Sequence, residues 1–189
     1  LDYFNTEVDN LTLEKLVNEA EIIAHNTPSG LDAKTCLSDS AIKFIKNKGF
    51  KNLEMNLGAY LLIADTGIHG HTRDAIMNIK NMGNKALPML EKLGKLTEET
   101  EKFIEKKDVV NMGKNMISAR EELKRLGVSI EKSDILVKTA IDEGAYGAKM
   151  SGGGLGGCII ALMENREKAE MTGKKLMEKG AVNIWIEAL

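Results

Sequence analysis

The chain has 189 residues, 29% of them charged, with a formal net charge of −2 and two cysteines. That length supports one good core, or one domain plus part of another. The balanced charge, without a basic patch interleaved with aromatics, speaks against nucleic acid as a partner. No apolar run approaches the ~20 residues that cross a bilayer, and no secretory pattern opens the chain. Cys36 and Cys158 lie far apart without metal-ligand neighbours, so they read as two buried thiols in a reducing, cytoplasmic compartment.

Leu1–Phe4 reads as the apolar end of a helix, and Leu1 is no initiator, so a segment upstream is expected. Asn10 is placed to cap a helix from Leu11 to about His25, with an apolar stripe of Leu13, Leu16, Val17, Ala20 and Ala24. Glu14, Asn18, Glu21 and His25 follow a second stripe. Asn26-Thr27-Pro28-Ser29-Gly30 breaks the helix, and Asp32 follows two residues later, ahead of Ala33–Leu37. A short hairpin is expected from Ala41–Ile45, a turn at Asn47–Gly49 and Phe50–Met55.

Tyr60–Asp65 has the pattern of a central strand closed by Thr66-Gly67. Beyond His69-Gly70-His71-Thr72, helices are expected over Arg73 to Met82, 85–93, 97–106, 108–126 and 131–143, with breaks near Pro88, Gly94 and Gly127. The chain then reads as strand 145–150, a glycine loop, strand 158–163, helix Arg166–Lys179 and strand Val182–Glu187. Ile184 and Ile186 face one way in that last strand and Trp185 the other. From Tyr60 onward the fold class is α+β, a ferredoxin-like split β-α-β sheet with extra helices in the first crossover. The change of pattern near residues 46–57 is the place for a domain boundary. Met82, Met89, Met112 and Met116 read as core filler, and the Lys/Glu mixture from Glu91 to Lys124 as a solvated face.

Five glycines stand in the six residues from Gly152 to Gly157. Such a run suits a backbone that approaches a ligand closely or points N–H groups at an anion, and equally a tight turn between strands with no ligand. It is not a P-loop, since no Lys-Ser/Thr pair follows it, and not a dinucleotide fingerprint, since a strand follows it rather than a helix. Asp32 is the only carboxylate placed right after a Pro-Ser-Gly turn, and by itself it reads as an N-cap for the short helix after it. From periodicity alone Glu21 reads as a solvated polar-face residue, and Thr72 as a helix cap.

His25-Asn26-Thr27-Pro28-Ser29-Gly30-Leu31-Asp32, then Ala64-Asp65-Thr66-Gly67 with Thr72 beyond, then Lys149–Cys158, resemble the mevalonate kinase family of the GHMP kinase superfamily. The motifs stand in the family's order, and the resemblance runs through essentially the whole chain. It implies that residues 1–46 end an N-terminal domain and that residues 47–189 form the C-terminal GHMP domain. It implies ATP-dependent phosphorylation of the 5-hydroxyl of mevalonate, with Asp32 as the base for that hydroxyl and Glu21 on Mg²⁺. Thr72, Ser151, Gly152 and Gly153 would then lie at the substrate, and Gly152, Gly153, Gly154 and Gly156 at the nucleotide. Phosphoryl transfer asks for this division of labour: a neutralised charge, a positioned hydroxyl and donors for the moving group.

The sequence departs from the family in three places. The family's N-terminal lysine motif and its Pro-x-x-x-Gly-Leu-Gly-Ser-Ser-Ala loop for ATP are not among these residues. An arginine that some relatives place two positions before the threonine is Gly70 here. This polypeptide alone is therefore expected to be inactive or very weak. Another GHMP small-molecule kinase, such as one for phosphomevalonate, and a non-catalytic ligand-binding or dimerisation module stand as alternatives. A small-molecule substrate is the expected partner, with no membrane or nucleic acid, and a homodimer is left open.

Overall fold

The structure, a computed structural model, describes residues 8–25, 30–45 and 48–189. The Leu1–Phe4 helix end, the Asn26–Ser29 part of the Pro-Ser-Gly turn and Asn47 lie outside the described residues. The chain divides into two compact units, Leu1–Met55 and Asn56–Leu189.

In the first unit, helix α1 (Asn10–His25) starts one residue earlier than expected. Its cap is Asp9, whose carboxylate accepts from the Thr12 N–H at 2.8 Å and from the Thr12 hydroxyl at 2.9 Å. Helix α2 (Leu31–Cys36) follows. Strands β1 (Ala41–Ile45) and β2 (Gly49–Leu53) pair antiparallel from Ala41 opposite Leu53 to Ile45 opposite Gly49. The units divide after Met55, within the stretch of residues 46–57 where the sequence pattern changes.

The second unit runs β3 (Tyr60–Asp65), α3 (Thr72–Met82), α4 (Leu87–Glu105), α5 (Val109–Arg125), α6 (Glu131–Asp142), β4 (Gly147–Met150), β5 (Cys158–Met163), α7 (Arg166–Glu178) and β6 (Asn183–Ala188). Its sheet is antiparallel throughout, in the order β4-β5-β3-β6. That is the split β-α-β arrangement with extra helices in the first crossover.

Alternation along the strands decides which face is core. Leu62, Ala64, Ile159, Ala161, Met163 and Ala148 are buried on one face with Leu136, Val137 and Ala140 of α6 and Ala169 and Leu176 of α7. Burying a side chain the size of leucine contributes about 1.5–3 kcal/mol. Ile184 and Ile186 pack against this cluster, while Trp185 on the other face is exposed. A second cluster joins Ala75 of α3, Ala86, Met89 of α4, Leu126, Val128 and Met150.

Four expectations are corrected here. Gly94 does not end a helix: α4 runs through it, because an exposed glycine costs a helix only about 1 kcal/mol. Pro88 stands in the first turn of α4, where its missing N–H has no intrahelical partner to lose. Nor is the Glu91–Lys124 stretch wholly a solvated face. The Glu122 carboxylate is buried between Lys92 and Arg125, each at 2.7 Å, and the Lys92 hydrogen bond holds it below the usual carboxylate range. Both cysteines are free, but Cys36 is exposed and Cys158 half-buried.

Candidate functional site

In the first unit, α1 carries Glu21 and α2 carries Asp32. Glu21 is half-buried, not fully solvated as a polar-face position suggests. The cap of α2 is Gly30, with φ of 85° and no side-chain cap bond. Asp32 thus sits inside the first helical turn rather than at its N-cap. Its carboxylate is exposed and takes part in no hydrogen bond or ion pair among the described residues. The buried Ala33 beside it fixes which face of α2 is turned inward. Lys34 ties α2 to α1, its Nζ 3.1 Å from Glu14 Oε2 and 4.2 Å above the centre of the Phe50 ring. Sequence reasoning missed that tie, although Glu14 had been noted on the same stripe as Glu21.

In the second unit, the glycine loop lies between β4 and β5 and is pinned at its ends and middle. The Ser151 N–H donates to the Cys158 carbonyl at 2.9 Å, Leu155 to Val128 at 2.8 Å and Gly157 to Ile68 at 2.7 Å. The Thr66 hydroxyl and N–H both donate to the Gly157 carbonyl, at 2.6 and 3.0 Å. The glycines between these anchors serve different ends. Gly154 and Gly156 are buried; a Cβ on the first would lie 2.7 Å from the Val128 carbonyl oxygen, and one on the second 2.5 Å from that of Ile68. Close packing by itself demands glycine at both. Gly152 and Gly153 are exposed instead, and their N–H groups meet no acceptor among the described residues.

Thr72 is the first residue of α3, which is capped by His71 without a side-chain bond, so Thr72 is not the cap. It stands against the loop: a Cβ on Gly153 would lie 2.5 Å from Thr72 Oγ1 and 2.6 Å from its Cγ2. Two residues that sequence reasoning picked separately are thereby brought together. Gly70 also borders the loop: a Cβ on it would lie 3.3 Å from the Gly154 carbonyl oxygen. Lys149, at the root of the loop, was passed over. Burial pushes its ammonium below the usual lysine value, and its Nζ donates to the Met150 carbonyl at 3.1 Å. A lone lysine in the apolar run Ala145–Met150 was the available signal.

Residues 100–181, from late α4 through the glycine loop and β5 to just beyond α7, match the family model for the C-terminal domain of GHMP kinases. The chain carries a GHMP kinase C-terminal domain. It is 31% identical over 175 residues to the mevalonate kinase of Aeropyrum pernix, across 88% of this chain and 54% of that protein. The GHMP domain and the unit before it resemble L. major mevalonate kinase, crystallised with R-mevalonate. The TM-score is 0.85 at 23% identity, over 96% of this chain and 59% of that one. Streptococcus pneumoniae phosphomevalonate kinase, in complex with phosphomevalonate and AMPPNP, gives a TM-score of 0.76 at 16% identity, over 97% and 63%. At these identities the structural likenesses bear on the fold. The chain spans about half the length of the curated relatives it matches.

Proposed function

We propose that the intact protein is a mevalonate kinase, transferring the γ-phosphate of ATP to the 5-hydroxyl of mevalonate in cytoplasmic isoprenoid biosynthesis. The similarity to mevalonate kinases along 88% of this chain supports the substrate. The observation that carries the chemistry is the exposed Asp32 carboxylate, relieved of any capping duty on α2. A carboxylate held in that way can accept the hydroxyl proton as the oxygen attacks phosphorus.

Glu21 fits a Mg²⁺ site of the kind that phosphoryl transfer uses. Magnesium is held by one or two carboxylates together with substrate phosphates and waters, rather than by an all-protein cage. When bound, Mg²⁺ supplies neutralisation of the phosphate charge. The chain's own part is then positional. The unpaired N–H groups of Gly152 and Gly153 are donors for phosphate or substrate oxygens, and Thr72 Oγ1 offers a hydroxyl beside them. The Lys149 ammonium adds a positive charge at the base of the same loop.

The reading is tested by a substrate panel with the intact protein, ATP and Mg²⁺: mevalonate, phosphomevalonate, galactose and homoserine. Mevalonate is expected to give the highest kcat/KM; a higher value for another alcohol would replace the substrate, and transfer to none would reject the kinase reading. The 189-residue chain assayed alone is expected to transfer little or no phosphate, because the family's ATP loop is not among its residues.

A further inference from the structure

Leu155 is the one residue with a side chain between Gly152 and Gly157, and its φ of 56° lies in the left-handed region. Among the described residues only Lys107, at the turn between α4 and α5, shares that departure without being glycine. Glycine would adopt the conformation without steric cost, as its neighbours do. A leucine there holds its strain only if the side chain does something that glycine cannot.

The leucine side chain is seated in the cluster of Ala75, Ala86, Met89, Leu126, Val128 and Met150. Its N–H donates to the Val128 carbonyl in the connection between α5 and α6. That connection is itself braced: Ser129 Oγ donates to Asp134 at 3.0 Å, and Asp134 pairs with Arg120 at 3.2 Å and Lys124 at 3.0 Å. Ala75 lies one helical turn beyond Thr72, on the same side of α3. The cluster that receives Leu155 therefore also receives the helix that bears Thr72. One apolar anchor fixes both the loop and the helix.

We propose that Leu155 is a positioning residue, whose side chain sets the spacing between Thr72 Oγ1 and the backbone of Gly153. As a role in phosphoryl transfer this rests on the kinase reading above; as a statement about the loop it does not. Displacement of a reacting geometry by about 1 Å costs on the order of 100-fold in rate, so partial loosening should be visible in kcat.

The experiment compares Leu155→Ala, Leu155→Met, Thr72→Ala and the Leu155→Ala/Thr72→Ala pair in the intact protein. Leu155→Ala is expected to lower kcat about tenfold, with KM for ATP within about threefold. Leu155→Met, which keeps the volume, should stay within about threefold of the parent and covers the case of an alanine variant that does not fold. With Thr72 already alanine, removing the leucine should cost less than about threefold, since coupled residues are not additive. Additive losses, an unchanged kcat in Leu155→Ala, or a tenfold loss in Leu155→Met would overturn the proposal.

Amide hydrogen exchange separates this proposal from the kinase reading, because it needs no substrate. The Leu155 and Gly157 amides should lose at least about tenfold in protection in Leu155→Ala, while the α6 and α7 amides keep theirs. Unchanged protection at both loop amides would overturn the proposal. If the intact protein phosphorylates no alcohol, the kinase reading fails and amide protection alone decides the role of Leu155.

Discussion

Thr72 and Gly153 are so close that the glycine has no space for a side chain: a Cβ there would come within 2.5 Å of Thr72 Oγ1 and 2.9 Å of Thr72 Cβ. Threonine is short and branched, so neither atom can swing far without rotating about a crowded bond. Gly153→Ala should push the loop and α3 apart. The expected result in the intact protein is a fall in kcat/KM of about 10–100-fold, with a lower thermal midpoint as well, because relieving the overlap costs about 1–3 kcal/mol. Steady-state kinetics and a thermal melt on the same preparation check it. Activity within about threefold of the parent would show that the spacing is immaterial.

Glu21→Gln keeps the size and the half-buried setting of the side chain while removing its charge. If Glu21 is a Mg²⁺ ligand, the Mg²⁺ concentration for half-maximal rate should rise about tenfold, the equivalent of ~1.4 kcal/mol. A Mg²⁺ titration at fixed ATP reads this directly. An unchanged titration curve would reject the metal role and leave Glu21 a structural residue of α1.

The Asp134 carboxyl gives a pH prediction. Burial pushes it up, but hydrogen bonds from Lys124 and Ser129 and the nearby Lys124 and Arg120 charges outweigh that and hold it below its ordinary value. The folded protein thus binds this proton more weakly than the unfolded chain does. Its stabilisation is present above the unfolded value and is lost as pH falls through the lowered folded one. Asp134→Asn should cost about 1 kcal/mol near pH 7, the value of a partly screened charged hydrogen bond, and less near pH 3, below the ordinary carboxylate value. Melting curves at the two pH values test it; an equal deficit at both would remove the carboxylate charge as the cause.

Much of the second unit was legible because its strands alternate and its helices carry long apolar stripes. Tyr60–Asp65 and Cys158–Met163 fall where their patterns begin and end. The single helix α4 was not legible as such, since Pro88 and Gly94 are read as breaks whether or not tertiary packing supports the helix around them. Asp9 and Asn10 are both good caps on paper, and the choice between them rests on local geometry. At the site, the residues with distinctive chemistry could be picked from their motifs. The features that position them could not: the Leu155 anchor, the Val128 carbonyl and the Lys34–Glu14 tie join segments distant in sequence. Glycine in a run also looks alike at every position, yet Gly154 and Gly156 are packed and Gly152 and Gly153 exposed.

The most direct measurement is the rate of γ-phosphate transfer from ATP to mevalonate by the intact protein and its Asp32→Asn variant. Asparagine keeps the shape of the side chain, and Asp32 caps nothing, so the fold has no reason to change. A general base contributes about 10²–10⁴-fold. The variant should lose kcat on that scale while its thermal midpoint and its KM for ATP hold. A loss of less than about tenfold would contradict Asp32 as the base, and no mevalonate phosphorylation by the parent protein would contradict the function itself.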